Sequence, residues 1–399
     1  MLRILHVSPY YEQAWAYGGI PRLTTTMTRA LARRGHHVTV CTTDVRDAHT
    51  RASISEASRH AVDVRMFPNL SNAIAYHLQF FTPLGLRRFM RRSAAQFDIA
   101  HIHACHNLPG VIAAYELSRA GVPYVVSPNG TAAPIERRIV AKQVFAWTAG
   151  RALLPRAARV IAVSDAEVRQ LRRIGVPHSS IASIPNPIDD AEFDRAADGA
   201  VFRSRMRLGT APIILFLGKL TPRKGVEDLV QAFAAMTRSD ARLVVAGNDM
   251  GVGTALDSLI HRLGLSARII RAGLLTGDDR LDALAAASVV VYPSRDEVFG
   301  LVPLEALLCG TPVVVGNDSG CGEVISGTGG GLVVSPGNIA GLSAAIEAIL
   351  ANQERWRVRA ACAARVARTR YGSGVVCDRL ESLYHEVLGD HSERSRMRA

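Results

Sequence analysis

VVVYPSRDEVFGLVPLEALLCGTPVVVG (289–316) holds a strand, a loop, a helix and a second strand in one stretch. Its two valine-rich runs are short, β-branched and apolar at nearly every position, the pattern of strands covered on both faces in a parallel sheet. Between them, LVPLEALLC carries helix-forming residues. Gly310 marks the stop, and Pro303 falls in the first turn, where a missing N–H costs nothing. Glu297 and Glu305 flank this apolar run, and carboxylates are costly to bury unless something meets them.

Working outward, the same alternation fills the chain. LRILHVS (2–8), HVTVCTT (37–43), DVRMF (63–67), DIAHIH (98–103), PYVVS (123–127) and VIAVS (160–164) read as strands in the first half. PIILFLG (212–218), ARLVVAG (241–247), RIIRAG (268–273), VVVYPS (289–294), PVVVG (312–316) and GLVVS (331–335) repeat the scheme in the second. Amphipathic segments separate them, such as LTTTMTRALARRG (23–35), which stops at Gly35 as a helix should. Strands alternating with helices predict an α/β fold of doubly wound parallel sheets. At 399 residues the chain is too long for one core, so two such domains are expected. The break falls in IPNPIDDAEFDRAADGA (184–200), which has no core periodicity. The expected domains are 1–190 and 191–375, followed by a helix at 376–390 packing back on the first domain and a disordered tail at 391–399.

A hydrophobic share of 48% and a charged share of 21% are those of a globular protein. No apolar run reaches membrane-spanning length, and MLRILHVSPYY lacks the marks of a signal peptide. The six cysteines (41, 105, 309, 321, 362 and 377) show no CxxC pairing and read as reduced thiols of a cytoplasmic protein. The net charge of +12 is concentrated in residues 1–195, which carry 24 Lys and Arg against 14 Asp and Glu. That excess points either to an anionic partner or to arginine-rich helix surfaces that stay wet. Neither a helix-turn-helix signal nor an aromatic-basic cluster supports a nucleic-acid-binding protein.

In doubly wound domains ligands sit at the carboxyl ends of the strands. SRDE (294–297) is such a strand end, and the helix that follows begins near Gly300. Free amides there, with the positive end of the helix dipole, suit a diphosphate. Glu297 and Glu305 on either side of a phosphate site suit a sugar and a ribose, although a helix cap plus a solvent-facing glutamate would read the same. In FLGKLTPRKGVEDLVQAF (216–233), Lys219 and Lys224 bracket the turn after a strand end, placed either to neutralise a leaving diphosphate or simply to face water. Gly18 and Gly19 follow the first strand, without the GxGxxG of a dehydrogenase. His101 and His103 share one face of their strand, with His103 nearer its carboxyl end. A metal site from His101, His103, Cys105 and His106 lacks an acidic or distal partner. In SPNGT (127–131), Asn129 and Thr131 present polar side chains, and Glu323 either touches a ligand or caps its helix.

E-V-F-G-L-V-P-L-E followed by ALLCGTPVVV resembles the E-x7-E motif of the retaining family 4 glycosyltransferases of the GT-B fold. The resemblance extends to about residue 390. It implies two Rossmann-like domains facing across a cleft, a nucleotide-sugar donor held mainly by the second and an acceptor held by the first. It implies that Glu297 contacts donor-sugar hydroxyls, that Glu305 bonds the ribose, and that Lys219 and Lys224 stabilise the diphosphate. Lys219 stands where the family often has Arg. Gly18, Gly19, Gly218, Phe299, Gly300 and Leu301 would line the donor, and His103 would reach the reacting sugar. Asn129 and Thr131 would face the acceptor, with Asn129 departing from the family's usual His or Gly. No cofactor or metal is implied, and no D-x-D triplet occurs.

The expected function is therefore transfer of a hexose-type sugar from a UDP- or GDP-type donor to a glycan or lipid-linked acceptor. Another GT-B enzyme, such as a nucleotide-sugar epimerase or sugar-phosphate synthase, remains open, as does an inactive nucleotide-sugar-binding scaffold. LGLRRFMRR (84–92) adds a basic amphipathic helix with an apolar stripe of Leu86, Phe89 and Met90. Its arginines, Arg87, Arg88, Arg91 and Arg92, suit either peripheral contact with the inner face of an anionic membrane or the wet side of a core helix.

Overall fold

The computed structural model describes residues 1–53, 62–132, 152–194 and 197–398. Among the described residues, thirteen strands form two sheets. The first contains β1 (Arg3–Val7), β2 (His37–Thr43), β3 (Asp63–Phe67), β4 (Ile99–His103), β5 (Tyr124–Ser127), β6 (Arg159–Ala162) and β7 (Ile181–Ser183). The second contains β8 (Ile213–Leu217), β9 (Arg242–Ala246), β10 (Ile269–Gly273), β11 (Val289–Tyr292), β12 (Val313–Gly316) and β13 (Gly331–Val334). Every pairing is parallel, in the orders β3-β2-β1-β4-β5-β6-β7 and β10-β9-β8-β11-β12-β13. β7 is the one strand the pattern does not announce: three residues at a sheet edge are too short to show a period.

Both orders reverse once, between β1 and β4 and between β8 and β11. At such switch points the connecting helices leave on opposite faces of the sheet and open a crevice at the strand ends. The expected site residues gather there: Gly18, Gly19 and His103 follow β1 or end β4, while Gly218, Lys219, Lys224 and Glu297 follow β8 or β11.

The chain divides into two units, Met1–Pro187 with Ser373–Ala399, and Ile188–Gly372, so the divisions fall three residues before those expected. The second unit packs Phe216, Leu229, Phe233, Val291, Ile346 and Trp356 in its core. Its two ends meet, with the Ile188 amide donating to the Tyr371 carbonyl at 2.8 Å. In the first unit, Ile4, Leu31, Val40, Ile99 and Val125 pack with Val376, Leu380, Tyr384 and Val387 of the helix Ser373–Arg398. That helix runs through Arg398, which corrects the expected disordered tail from 391. SERSRM contains no proline or glycine to stop a helix already 18 residues long, and its arginines and glutamate are good helix formers.

Because Leu380 is fully buried in the first unit's core, Leu380→Ala should destabilise that unit by about 2–5 kcal/mol. The exposed neighbour Ser382→Ala should stay within about 0.5 kcal/mol. Chemical denaturation followed by circular dichroism measures both.

Candidate functional site

In the second unit the site is built on the neighbouring ends of β8 and β11. After β8 the chain passes Gly218 and the half-buried Lys219, then makes a short turn over Pro222–Lys224. Gly225 follows at φ 67°, and a Cβ there would overlap the Pro293 carbonyl. Only glycine lets this turn lie against the loop after β11. The approach sets Lys224 against that loop: its ammonium donates to the Tyr292 hydroxyl and to Glu297 Oε2, and lies 4.7 Å from the Tyr292 ring centroid. Ser294 Oγ donates to the same carboxylate oxygen at 3.1 Å, and the Tyr292 hydroxyl does so at 3.3 Å.

This is a nearly dry ion pair, with side-chain exposures of 6% for Lys224 and 16% for Glu297. Burial alone would raise the Glu297 carboxyl, but Lys224 and then Arg223 outweigh it and hold it down at about 2. Burial, with Glu297 adding to it, pushes the Tyr292 hydroxyl well above its usual range, so it stays a neutral donor. An ionised glutamate is acceptor-only and takes hydroxyl hydrogens, while an ammonium is donor-only and takes phosphate oxygens. One contact thus carries both polarities that a sugar phosphate presents.

Gly300 follows at φ 81°, where a Cβ would overlap the Cys321 sulfur. It opens the helix Leu301–Leu308 with no side-chain cap. The Cys321 amide donates to the Glu297 carbonyl at 2.8 Å and Ser319 Oγ does so at 3.0 Å, pinning the loop to the next helix. Phe299 turns into the core, packing edge-on against Tyr371 at 5.4 Å, so its backbone rather than its ring faces the helix start. Leu301 is half-buried in the first turn. Glu305 is buried and paired with Arg280, whose other arm reaches Glu192 at 2.7 Å. Glu323 is half-buried in the first turn of the helix Gly320–Thr328, whose cap residue is Ser319.

In the first unit, Gly18 at φ 97° is the cap of the helix Gly19–Arg33, and Gly19 is exposed. His103 ends β4 fully buried. Its Nε2 shares a 2.9 Å hydrogen bond with His6 Nδ1, while His103 Nδ1 and His6 Nε2 have no hydrogen-bond partner. His101 stacks on His103 at 4.2 Å between centroids and lies 2.7 Å from both Tyr384 Oη and Ser127 Oγ. Burial lowers His103 to about 3 and drives His6 and His101 well below their usual value, so all three rings are neutral near pH 7. His6, His101 and His103, with ligand atoms within 4.8 Å of one another, are the described grouping compact enough for a metal, in place of the one with Cys105 and His106. Their bonds to one another, to Tyr384 and to Ser127 make them a hydrogen-bonded stack. Asn129 is left-handed at φ 53° with Oδ1 buried and unpartnered. Thr131 Oγ1 takes the Cys105 amide at 2.7 Å and donates to the Pro128 carbonyl at 2.6 Å, tying two strand-end loops together.

Four participants escaped the sequence reading. Tyr292 and Ser294 are the polar residues that end a valine run. Arg280 stands one turn before Leu284 on a buried helix face, and His6 interrupts an apolar strand in register with His101. A polar residue on an otherwise apolar face was the available signal in each case.

Two doubly wound units, one with a buried cation–carboxylate pair beside an uncapped helix N-terminus at its switch point, make an arrangement chemically suited to a sugar phosphate. The family model described as Glycosyl transferases group 1 matches residues 201–366, and that described as Glycosyltransferase Family 4 matches residues 17–192. The chain is 31% identical over 398 residues to a D-inositol 3-phosphate glycosyltransferase of Xylanimonas cellulosilytica, covering 92% of each chain. It is 29% identical to the same-named protein of Kineococcus radiotolerans, covering 97% of this chain and 95% of that one. Among solved structures, Anabaena Alr3699/HepE in complex with UDP superposes with a TM-score of 0.76 at 20% identity, covering 96% of this chain and all of that one. The chain belongs to glycosyltransferase family 4 and is a glycosyltransferase of the GT-B type.

Removing one member of a buried ion pair strands the other, whereas removing both leaves no orphan charge. Lys224→Met should therefore cost about 3–5 kcal/mol, and the double variant Lys224→Met/Glu297→Gln should recover most of it while remaining inactive. Denaturant titration and a transfer assay on the same preparations check this.

Proposed function

We propose that this chain is a retaining hexosyltransferase that moves one sugar from a UDP- or GDP-type donor to a glycan or lipid-linked acceptor. The observation that carries the reading is the Lys224–Glu297 pair lying beside the amide-rich start of the helix Leu301–Leu308. The Anabaena protein, solved in complex with UDP, supports a uridine nucleotide as the first to try. In this reading Glu297 accepts from donor-sugar hydroxyls and exchanges part of its hold on Lys224 for them. Lys224, Lys219 and the amides near Gly300 then stabilise the diphosphate as the sugar C1–oxygen bond breaks and its electrons pass to the phosphate oxygen. The acceptor hydroxyl bonds to C1 on the face the diphosphate leaves, and its proton goes to that phosphate. His103, neutral and with Nδ1 unpartnered, orients the sugar as a hydrogen-bonding group rather than as a charged acid. Gly18 and Gly19 allow close approach of the ligand to the backbone, and the loop carrying Asn129 contributes to acceptor choice.

Calorimetry against UDP, GDP and ADP should show one nucleotide binding selectively, with affinity reduced about tenfold or more in Glu305→Ala. NMR of the product should then show the anomeric configuration of the donor retained. An inverted product would overturn the retaining mechanism, and binding without transfer to any acceptor would favour a nucleotide-sugar-binding scaffold.

A surface of the first unit supports a membrane-borne acceptor in this reading. Leu86 and Met90 of the helix Leu86–Ser93 are buried and Phe89 half-buried, while Arg87, Arg88, Arg91 and Arg92 are exposed. Arg87 is tied to Glu116 at 3.2 Å and lies over the Tyr115 ring. In the segment that leads into this helix, Leu70, Ile74, Leu78, Phe80 and Leu84 are exposed at 42–67%. Among the described residues no helix is long and apolar enough to cross a membrane. Exposed apolar side chains followed by exposed arginines fit the surface of an anionic bilayer carrying a lipid-linked acceptor. The protein should sediment with vesicles containing anionic lipid and not with neutral ones. Replacing Arg88, Arg91 and Arg92 by glutamine should release it; continued sedimentation would remove this helix as the contact, and no sedimentation of the wild type would remove the membrane from this reading.

A further inference from the structure

Glu305 is only 3% exposed, and a carboxylate so enclosed needs a partner that both meets its charge and fixes its direction. We propose that Arg280 is the positioning residue that makes Glu305 a fixed acceptor for the ribose diol of the donor, an inference that rests on Glu305 being the ribose contact. Arg280 stands in the helix Gly277–Ala286, which follows β10, and is itself only 6% exposed. Its guanidinium donates through one terminal nitrogen to Glu305 Oε2 and through the other to Glu192 Oε1 at 2.7 Å, and lies 5.7 Å from the Phe193 ring centroid. A planar fork held by two carboxylates and a ring has little freedom to swing, so the carboxylate it grips keeps one orientation.

The contacts point the same way. Arg280 meets two carboxylates at once, those of Glu305 and Glu192. A carboxylate gripped on one oxygen keeps acceptor capacity for the hydroxyl hydrogens of a neutral diol. Without Arg280 the carboxylate loses the fork that fixes its direction, and with it the directed acceptor. The phosphates are assigned to Lys219, Lys224 and the Gly300 amides, so Arg280 serves the nucleoside and not the leaving group.

The test compares the nucleoside diphosphate that the wild-type protein binds with its 2′-deoxy and 3′-deoxy analogues, by calorimetry on the full chain. The wild type should prefer the ribonucleotide by about tenfold or more over at least one analogue. In Arg280→Met that preference should fall to within about twofold, while affinity for that deoxy analogue changes by less than about threefold. Arg280→Lys keeps the charge without the fork and should show an intermediate preference; it carries the test if the methionine variant does not fold. Equal weakening of ribo- and deoxynucleotide in the variants, or a preference unchanged in both, would overturn the role of Arg280. A wild type that binds the ribonucleotide no better than either analogue would overturn the ribose reading of Glu305 itself.

Discussion

A carboxylate inside a protein must have a cation or several donors beside it, and the second unit meets that demand twice within nine residues. Glu297 is met by Lys224 from the turn after β8, across the switch point, and Glu305 by Arg280 from the preceding helix. The two arrangements resolve the question posed by an apolar stretch flanked by glutamates. Neither carboxylate is an isolated buried charge, and each brings a second element of the fold into register with the loop and helix at 294–308. The pairs therefore fix the relative positions of β8, β11 and the helix Gly277–Ala286, and these elements form the frame of the site. Buried ion pairs contribute little net stability against apolar packing of the same volume, so their presence is better explained by the chemistry they hold ready.

The first unit solves a different problem with neutral groups. Three imidazoles lie in the core where valine or leucine would pack; burial keeps them uncharged, and they stack and share hydrogen bonds with one another, Ser127 and Tyr384. His101 has both ring nitrogens occupied, whereas His103 has one left over. The ring at the end of β4, rather than the one within it, is the one equipped for a further partner. The helix that supplies Tyr384 comes from the far end of the chain, so the polarity of this core depends on residues more than 280 positions apart.

Much of this was legible in the sequence, because parallel strands covered on both faces read as unbroken apolar runs. Twelve of the thirteen strands can be located from such runs, and β7 is lost only because three residues show no period. The glycines and charged residues at strand ends were equally plain, since a doubly wound sheet places its ligands there. What a linear reading could not supply was which side chains meet. Lys224 and Glu297 are 73 residues apart, and nothing local to either says that they form one contact. Thr131 looked like a group offered to a ligand, yet its hydroxyl is occupied by two backbone partners. Phe299, read as a donor contact, has its ring in the core. The charged tail from 391 looked disordered because polar composition was weighed more heavily than the absence of a helix stop.

The chain leaves the first unit at Pro187 and re-enters it at Ser373, and this has a consequence for the order of synthesis. Domains commonly close in the order in which they emerge from the ribosome. Here the unit that emerges first lacks Leu380, Tyr384 and Val387 until the last helix has been made, so its sheet waits with one face of its core open. The second unit is contiguous from Ile188 to Gly372 and can close while its predecessor is still incomplete. Translation that stalls after residue 372 would release a finished second unit joined to an unfinished first, and quality-control machinery that recognises exposed apolar sheet would find its target at the amino-terminal end.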